Sequence, residues 1–216
     1  MKNRPRPSSA PCSLGPATVP SPLLHAGALA LGAILIALAT LLDGQLIAPF
    51  YDAQARGFPL RHARALEMLG HSGLKWLMAA FWLVCLVSGG ILRRGAVYMA
   101  LIVATVLALK YYSPYSCPFD LPEYGGTRPL AGRCLPAAHP VIGFALAGLY
   151  LALRNRGERR AARHALAAAL LIGMAAGAVQ VARGAHFPSH VLWTAWVAWA
   201  VTLLLAALAA LTRGRV

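Results

Sequence analysis

The sequence predicts an all-α fold, an integral membrane bundle of six helices with both termini in the cytoplasm. Three observations lead there: composition, six long apolar runs, and an alternation of basic and non-basic connections. Of 216 residues, 59% are hydrophobic and only 12% are charged. Soluble domains carry roughly 25% charged residues, so most of this surface is not built for water. A length of 216 residues suits one domain of packed helices.

The runs are Leu23–Leu42, Leu74–Leu92, Ala96–Leu109, His139–Leu153, His164–Ala182 and Val191–Leu211. A spanning helix needs about 20 residues. The third and fourth runs are short and reach span length only by borrowing a turn from a neighbouring loop. Ahead of the first run, Met1 to Ser21 holds Lys2, Arg4 and Arg6 but no short apolar core with a cleavage site. It reads as a disordered cytoplasmic tail before an uncleaved helix. The expected organisation is therefore tail 1–21, a six-helix domain 22–212, and a cytoplasmic tail 213–216. Small-residue stretches such as Gly173–Gly177 allow helices to approach closely in lipid.

Charge orients the bundle. The N-tail, Arg93–Arg94, the cluster Arg154, Arg156, Arg159, Arg160 and Arg163, and the tail Arg213 and Arg215 hold twelve of the twenty Lys and Arg residues. They alternate with Asp43–Gly73, Tyr111–Ala138 and Arg183–His190. Basic connections stay inside, which puts the second set outside. The net charge of +14 follows from this pattern. Nucleic-acid binding is excluded, because the basic residues sit at helix ends and not on one face interleaved with aromatics. In the first outer connection, Gly57–Gly73 mixes Phe58, Leu60, Leu66 and Leu69 with Arg61, His62, Arg64 and Glu67. It fits a short interfacial helix or an ordinary connecting loop.

The outer connections and their helix ends carry the candidate chemistry: Lys110, Asp120, Arg128, Arg133, His139, Arg183, His186 and His190. Lys and Arg snorkel cheaply one at a time. Cations and imidazoles brought to one face by three helices point to function. Cations neutralise phosphoryl oxygens, one imidazole can attack phosphorus and another can protonate the leaving oxygen. A zinc reading of His186 and His190 has the right spacing. It lacks the Glu of the zinc-protease pattern, and Pro188 disfavours a regular helix between the two. Cys117 and Cys134 share one outer loop and are expected to pair in an oxidising exterior, the alternative being two buried thiols. Cys85 reads as a small buried residue, and Cys12 lies in the tail. His25, His62, His71 and His164 read as packing or surface residues. The five Trp suit interfaces and helix packing.

Lys110-Tyr-Tyr-Ser-Pro-Tyr-Ser-Cys117-Pro118, Pro136-Ala-Ala-His139 and Arg183-Gly-Ala-His186-Phe-Pro-Ser-His190 together resemble the three-part signature of the type 2 phosphatidic acid phosphatases (PAP2). That signature runs Lys-x6-Arg-Pro, Pro-Ser-Gly-His and Ser-Arg-x5-His-x3-Asp. The chain is most similar to a bacterial membrane branch that shares Cys117-Pro-x-Asp120-Leu, Tyr124-Gly-Gly, Gly132-Arg-Cys and Arg183-Gly-Ala-His186-Phe. The resemblance covers about Leu23 to Leu211.

The resemblance implies His186 as the nucleophile, His139 as the acid for the leaving oxygen, and Lys110 as a phosphate ligand. Arg183 is expected to bind phosphate too, although the broad family has its Arg at the position of Gln180. Cys117 replaces the Arg of the first motif, and Arg133 or Arg128 would supply that charge, Arg133 being nearer His139 in sequence. Ala137 and Ala138 replace Ser and Gly, and the carboxylate expected after the nucleophile is missing, with His190 and Val191 in its place. His190 or Asp120 is then expected to orient His186. The implied reaction is hydrolysis of a lipid phosphate or diphosphate at the outer leaflet, without metal or other cofactor. Phospholipids such as phosphatidic acid, polyprenyl phosphates and lipid A are the implied substrates, with transfer to another lipid also open. The implied location is a bacterial inner membrane with the site facing the periplasm or exterior. The rival expectation is a degenerate fold that binds a lipid phosphate or a partner protein without turnover.

Overall fold

In the computed structural model the described residues are 22–127 and 132–213, and they are mainly helical with no strand among them. The tail 1–21 with Cys12, and Arg128, lie outside them. The longer helices among the described residues are α1 Pro22–Ile47, α2 Leu74–Ser88, α3 Gly90–Tyr111, α4 Ala147–Asn155, α5 Arg159–Ala182 and α6 Pro188–Arg213. A single turn, Val141–Phe144, leads into α4.

Four segments are long and apolar enough to cross a membrane: His25–Phe50, Gly90–Tyr111, Arg159–Ala182 and Pro188–Thr212. Leu74–Ser88 and Val141–Asn155 are apolar but shorter. The expected six full spans are thus four long helices and two short ones. The physical reason is at Gly89 and Gly90, whose φ values of 76° and 52° end one helix and start the next. Helix α2 keeps 15 residues, about 22 Å at 1.5 Å per residue, against a hydrocarbon core of about 30 Å. Leu92 consequently belongs to α3. So do Arg93 and Arg94, read from the sequence as a loop. Arg93 Nε donates to the Leu86 carbonyl at 3.1 Å, satisfying one of the carbonyls that the end of α2 leaves open.

The connection between α1 and α2, expected as a short interfacial helix or an ordinary connecting loop, is built of short helical turns. A 3₁₀ turn at Pro59–His62, an α-turn at Arg64–Glu67 and a π-turn at Met68–Gly73 run straight into α2. Helix α1 also outlasts its apolar run, reaching Ile47, so Asp43 is a helical residue and not the start of a loop.

The helices pack α1 on α6, α2 on α3, α3 on α4 and α6, and α4 on α5. Closeness of α3 and α4 rests on Gly148: a Cβ there would lie 2.6 Å from the Met99 nitrogen. Small residues replace the missing hydrophobic drive between helices in lipid with close van der Waals contact. Indole nitrogens tie helices across the bundle, Trp82 donating to the Ala96 carbonyl and Trp196 to that of Leu29, each at 2.9 Å. The outward faces are apolar: Leu31, Ile34, Leu35, Leu38 and Leu41 of α1 are exposed, Leu41 at 80%. A water-facing protein rarely shows so large a patch, whereas a lipid-facing one needs it. At one end, Arg94, Asn155 and Thr212 line a common hollow, and the basic connections gather there. The candidate chemistry gathers at the other end.

Candidate active site

Three helix ends build this end of the bundle. Lys110 stands in the last turn of α3, Arg183 caps the C-terminus of α5, and His190 lies in the first turn of α6. Pro188 opens α6, where a missing N–H costs nothing and a fixed φ suits the helix. His186 therefore lies in the short α5–α6 connection, outside the helix that holds His190.

The loop after α3 folds back on itself. Arg133 N donates to the Ser113 carbonyl at 2.7 Å and Cys134 N to that of Tyr115 at 2.9 Å. Cys117 and Cys134 are bonded as a disulfide, and Lys110 Nζ donates to the Arg133 carbonyl. The returning strand of chain then docks on α6. Ala137 N donates to the His190 carbonyl at 3.3 Å, and Thr194 Oγ1 donates to the Ala137 carbonyl at 2.8 Å. This docking places the His139 segment beside His186 and His190.

His186 is buried, at 7% exposure. Its Nδ1 lies 3.2 Å from the Sγ of Cys134. A disulfide sulphur carries no proton, so this contact is a hydrogen bond when Nδ1 is the protonated nitrogen, which leaves the Nε2 lone pair free. Burial holds the His186 imidazole well below its usual value, helped by electrostatic coupling to His190, Lys110 and, more weakly, His139; a backbone hydrogen bond with Cys134 pulls the other way. His186 is uncharged at neutral pH for this reason. Lys110, His139, His186 and His190 are thus brought within electrostatic reach of one another.

A model of the PAP2 superfamily matches residues 91–212, more than half the chain. The chain belongs to the PAP2 superfamily. Its members are phosphatases, and membership suggests phosphatase activity on phosphate esters. The matched region runs from α3 to α6 and holds Lys110, His139 and His186. Neither the comparison with curated proteins nor that with solved structures gave a match.

The other PAP2-motif expectations fall differently. Arg183 donates from both Nε and Nη2 to the Arg61 carbonyl at 3.1 Å. Part of its fork is committed to the connection between α1 and α2, which leaves only the remaining donors for any other partner. Arg133 is exposed, with its guanidinium carbon 4.5 Å from the Tyr111 ring centre, so its side chain stacks on an aromatic face. Asp120 closes a 3₁₀ turn through its backbone, and among the described residues neither it nor His190 hydrogen-bonds His186. His190, 6% exposed, packs its ring against Phe187 and His186 at 5.4 and 5.8 Å, and its Nδ1 has no hydrogen-bond partner among the described residues. Val191 is turned onto Gly177 of α5. Gln180, in place of the broad family's Arg, is 3% exposed, and its Nε2 has no partner among the described residues.

Two residues that position the site escaped the sequence reading. Asp43 of α1 is buried and accepts hydrogen bonds from Ser189 N at 2.9 Å and from Ser189 Oγ. Ser189 lies between the two imidazoles, so this contact fixes the segment that carries both. The available signal was a lone carboxylate inside an apolar helix, which is costly and rarely idle. The second is Phe58. Gly184 has φ 67°, and a Cβ there would collide with the Phe58 ring. Only glycine lets the chain turn so closely over that ring before reaching His186.

Proposed function

We propose that the chain is a membrane lipid phosphatase, hydrolysing a lipid phosphate or diphosphate through a phosphohistidine intermediate at the outer leaflet of a bacterial inner membrane. The observation that carries this reading is a buried, uncharged imidazole, His186, within reach of Lys110, His139 and His190.

In this mechanism Nε2 of His186 attacks phosphorus while the bond to the lipid oxygen breaks. His139 gives that oxygen its proton, so the lipid leaves as a neutral alcohol or as a shorter phosphate. Lys110 faces the charge that builds on the equatorial oxygens; an ammonium has three donors, and one is used on Arg133. Water then attacks the phosphohistidine, His139 takes its proton, and inorganic phosphate departs with His186 restored. No metal enters these steps.

A second reading has observations of its own. Arg183 is turned to Arg61 and Arg133 to Tyr111, and among the described residues no carboxylate hydrogen-bonds His186. A site with these commitments suits binding a lipid phosphate without turnover. The deciding experiment is phosphate release from a panel of phosphatidic acid, polyprenyl diphosphate and lipid A, by the wild type and His186→Ala side by side. Release by the wild type alone supports the phosphatase. Equal release by both removes His186 as nucleophile. Background release across the panel by the folded wild type moves the function to binding.

A further inference from the structure

The Cys117–Cys134 disulfide and His186 form a cluster whose chemistry changes with oxidation state. The two Sγ atoms and a ring nitrogen of His186 lie within 4.8 Å of one another, and the nearest approach is the 3.2 Å from Cys134 Sγ to Nδ1. Two thiolates and an imidazole at such spacing are a ligand set for a tetrahedral thiophilic cation, with Zn–S of about 2.3 Å and Zn–N of about 2.0–2.1 Å. While the sulphurs are bonded to each other they cannot bind one.

We propose that reduction of this disulfide creates a Cys117–Cys134–His186 site for a zinc-class divalent cation, and that the cation captures His186. The reductant is a dithiol. Its thiolate attacks Cys117 Sγ, since Cys117 is partly exposed and Cys134 fully buried. The S–S bond breaks and Cys134 leaves as a thiolate beside His186. The second thiol of the reductant resolves the mixed disulfide. The reductant becomes a disulfide, and two electrons and two protons arrive on the cysteines. Binding the cation releases both thiol protons, and water completes four-coordination. Two thiolates neutralise a divalent cation, so the centre adds no net charge beside Lys110.

Tautomerism makes the capture consequential. In the oxidised chain, Nδ1–H directed at the sulphur leaves Nε2 bare. In the metallated chain the cation occupies the Nδ1 lone pair, and the ring's single proton must sit on Nε2. The nitrogen that would attack phosphorus then has no lone pair to offer. This last consequence rests on the phosphatase reading; the metal site itself does not.

The test is a cobalt(II) titration of the purified full chain in detergent, oxidised and dithiol-reduced, after the reductant is removed. Expected for the reduced chain is one equivalent bound per chain, with thiolate-to-cobalt charge-transfer bands in the near ultraviolet, tetrahedral d–d bands, and displacement by zinc. The oxidised chain binds none. His186→Ala, in which the disulfide can still form, should bind at least tenfold more weakly when reduced. Binding by the oxidised chain, equal binding by reduced His186→Ala, or no saturable binding by the reduced wild type would each overturn the proposal, as would loss of helical circular dichroism on reduction. These readouts are independent of turnover. A chain inactive on every lipid phosphate but binding cobalt as described defeats the phosphatase reading and leaves the metal site standing.

Discussion

His186 meets a sulphur where a carboxylate would hold an imidazolium, and the difference is one of charge. A neutral acceptor can select the Nδ1–H tautomer but stabilises the cation little, whereas a carboxylate does both. The group is accordingly a ready nucleophile and a poor cation. Linkage gives the sign of its effect on stability. The unfolded imidazole titrates near its unperturbed value of about 6.5, and the folded one is depressed well below that. Between those two values the unfolded chain binds the extra proton, so stability rises with pH there. The contribution is fully present above about pH 6.5 and is lost as pH falls toward the folded value. Melting midpoints of the wild type in detergent should therefore fall as pH drops below that point, and those of His186→Gln should fall less. Identical pH dependence in the two proteins would show that His186 is not held neutral by the fold. That the imidazoles and Lys110 come to one end of the bundle was legible in the sequence, because several apolar runs begin or end on them. Their partners were not: the sulphur beside His186 comes from a residue 52 positions away.

Among the elements, the junction of α1 with α6 does the most to place the site. Asp43 accepts from both the backbone and the hydroxyl of Ser189 in the first turn of α6. A carboxylate there satisfies a backbone donor the helix cannot and complements the partial positive charge of the helix end. Hydrogen bonds to a charged group contribute about 1.5–3 kcal/mol. Asp43→Ala should lower unfolding stability by about that amount and reduce phosphate release, since Ser189 separates the two imidazoles. Asp43→Asn keeps one acceptor and should lose less. Unchanged melting in Asp43→Ala would mean that Ser189 is held by other contacts. The sequence could not show this pairing, because its partners are 146 residues apart and the apolar run stops at Leu42, ahead of Asp43, while the helix continues to Ile47. The same limit shaped the α2–α3 boundary. Gly89 and Gly90 sit inside an unbroken apolar stretch, so hydropathy runs through them, and the charges at Arg93 and Arg94 suggest a loop where a helix has already begun. Where backbone conformation and not hydropathy decides, as at φ 76° for Gly89, the apolar pattern carries no signal.

For the whole molecule, the segregation of charge was readable from the sequence and has a spatial counterpart. Arg94, Asn155 and Thr212 converge on one hollow, while Lys110, His139 and His186 meet at the far end. The apolar girdle between them suits lipid, which would leave the two ends in separate aqueous compartments. A bilayer around that girdle would separate them, with the basic end inside if the positive residues set the orientation. Reporter cysteines test this. Gly126, though in the outer set, is unsuitable, because a Cβ there would run into the Asp120 backbone. Ala53 and Arg156 are both exposed, and their side chains can be exchanged without disturbing the core. The Cys117–Cys134 disulfide can stay in place, since bonded sulphurs do not react with maleimides. Cys85 is buried, and Cys12 is replaced by Ser. In intact cells an impermeant maleimide should label Ala53→Cys and spare Arg156→Cys; after permeabilisation it should label both. Labelling of Arg156→Cys alone in intact cells would invert the orientation and put the imidazoles on the inner face. Equal labelling of both in intact cells would mean that the two ends are not separated by a bilayer, and the lipid-facing reading of the exposed Leu and Ile of α1 would fall with it.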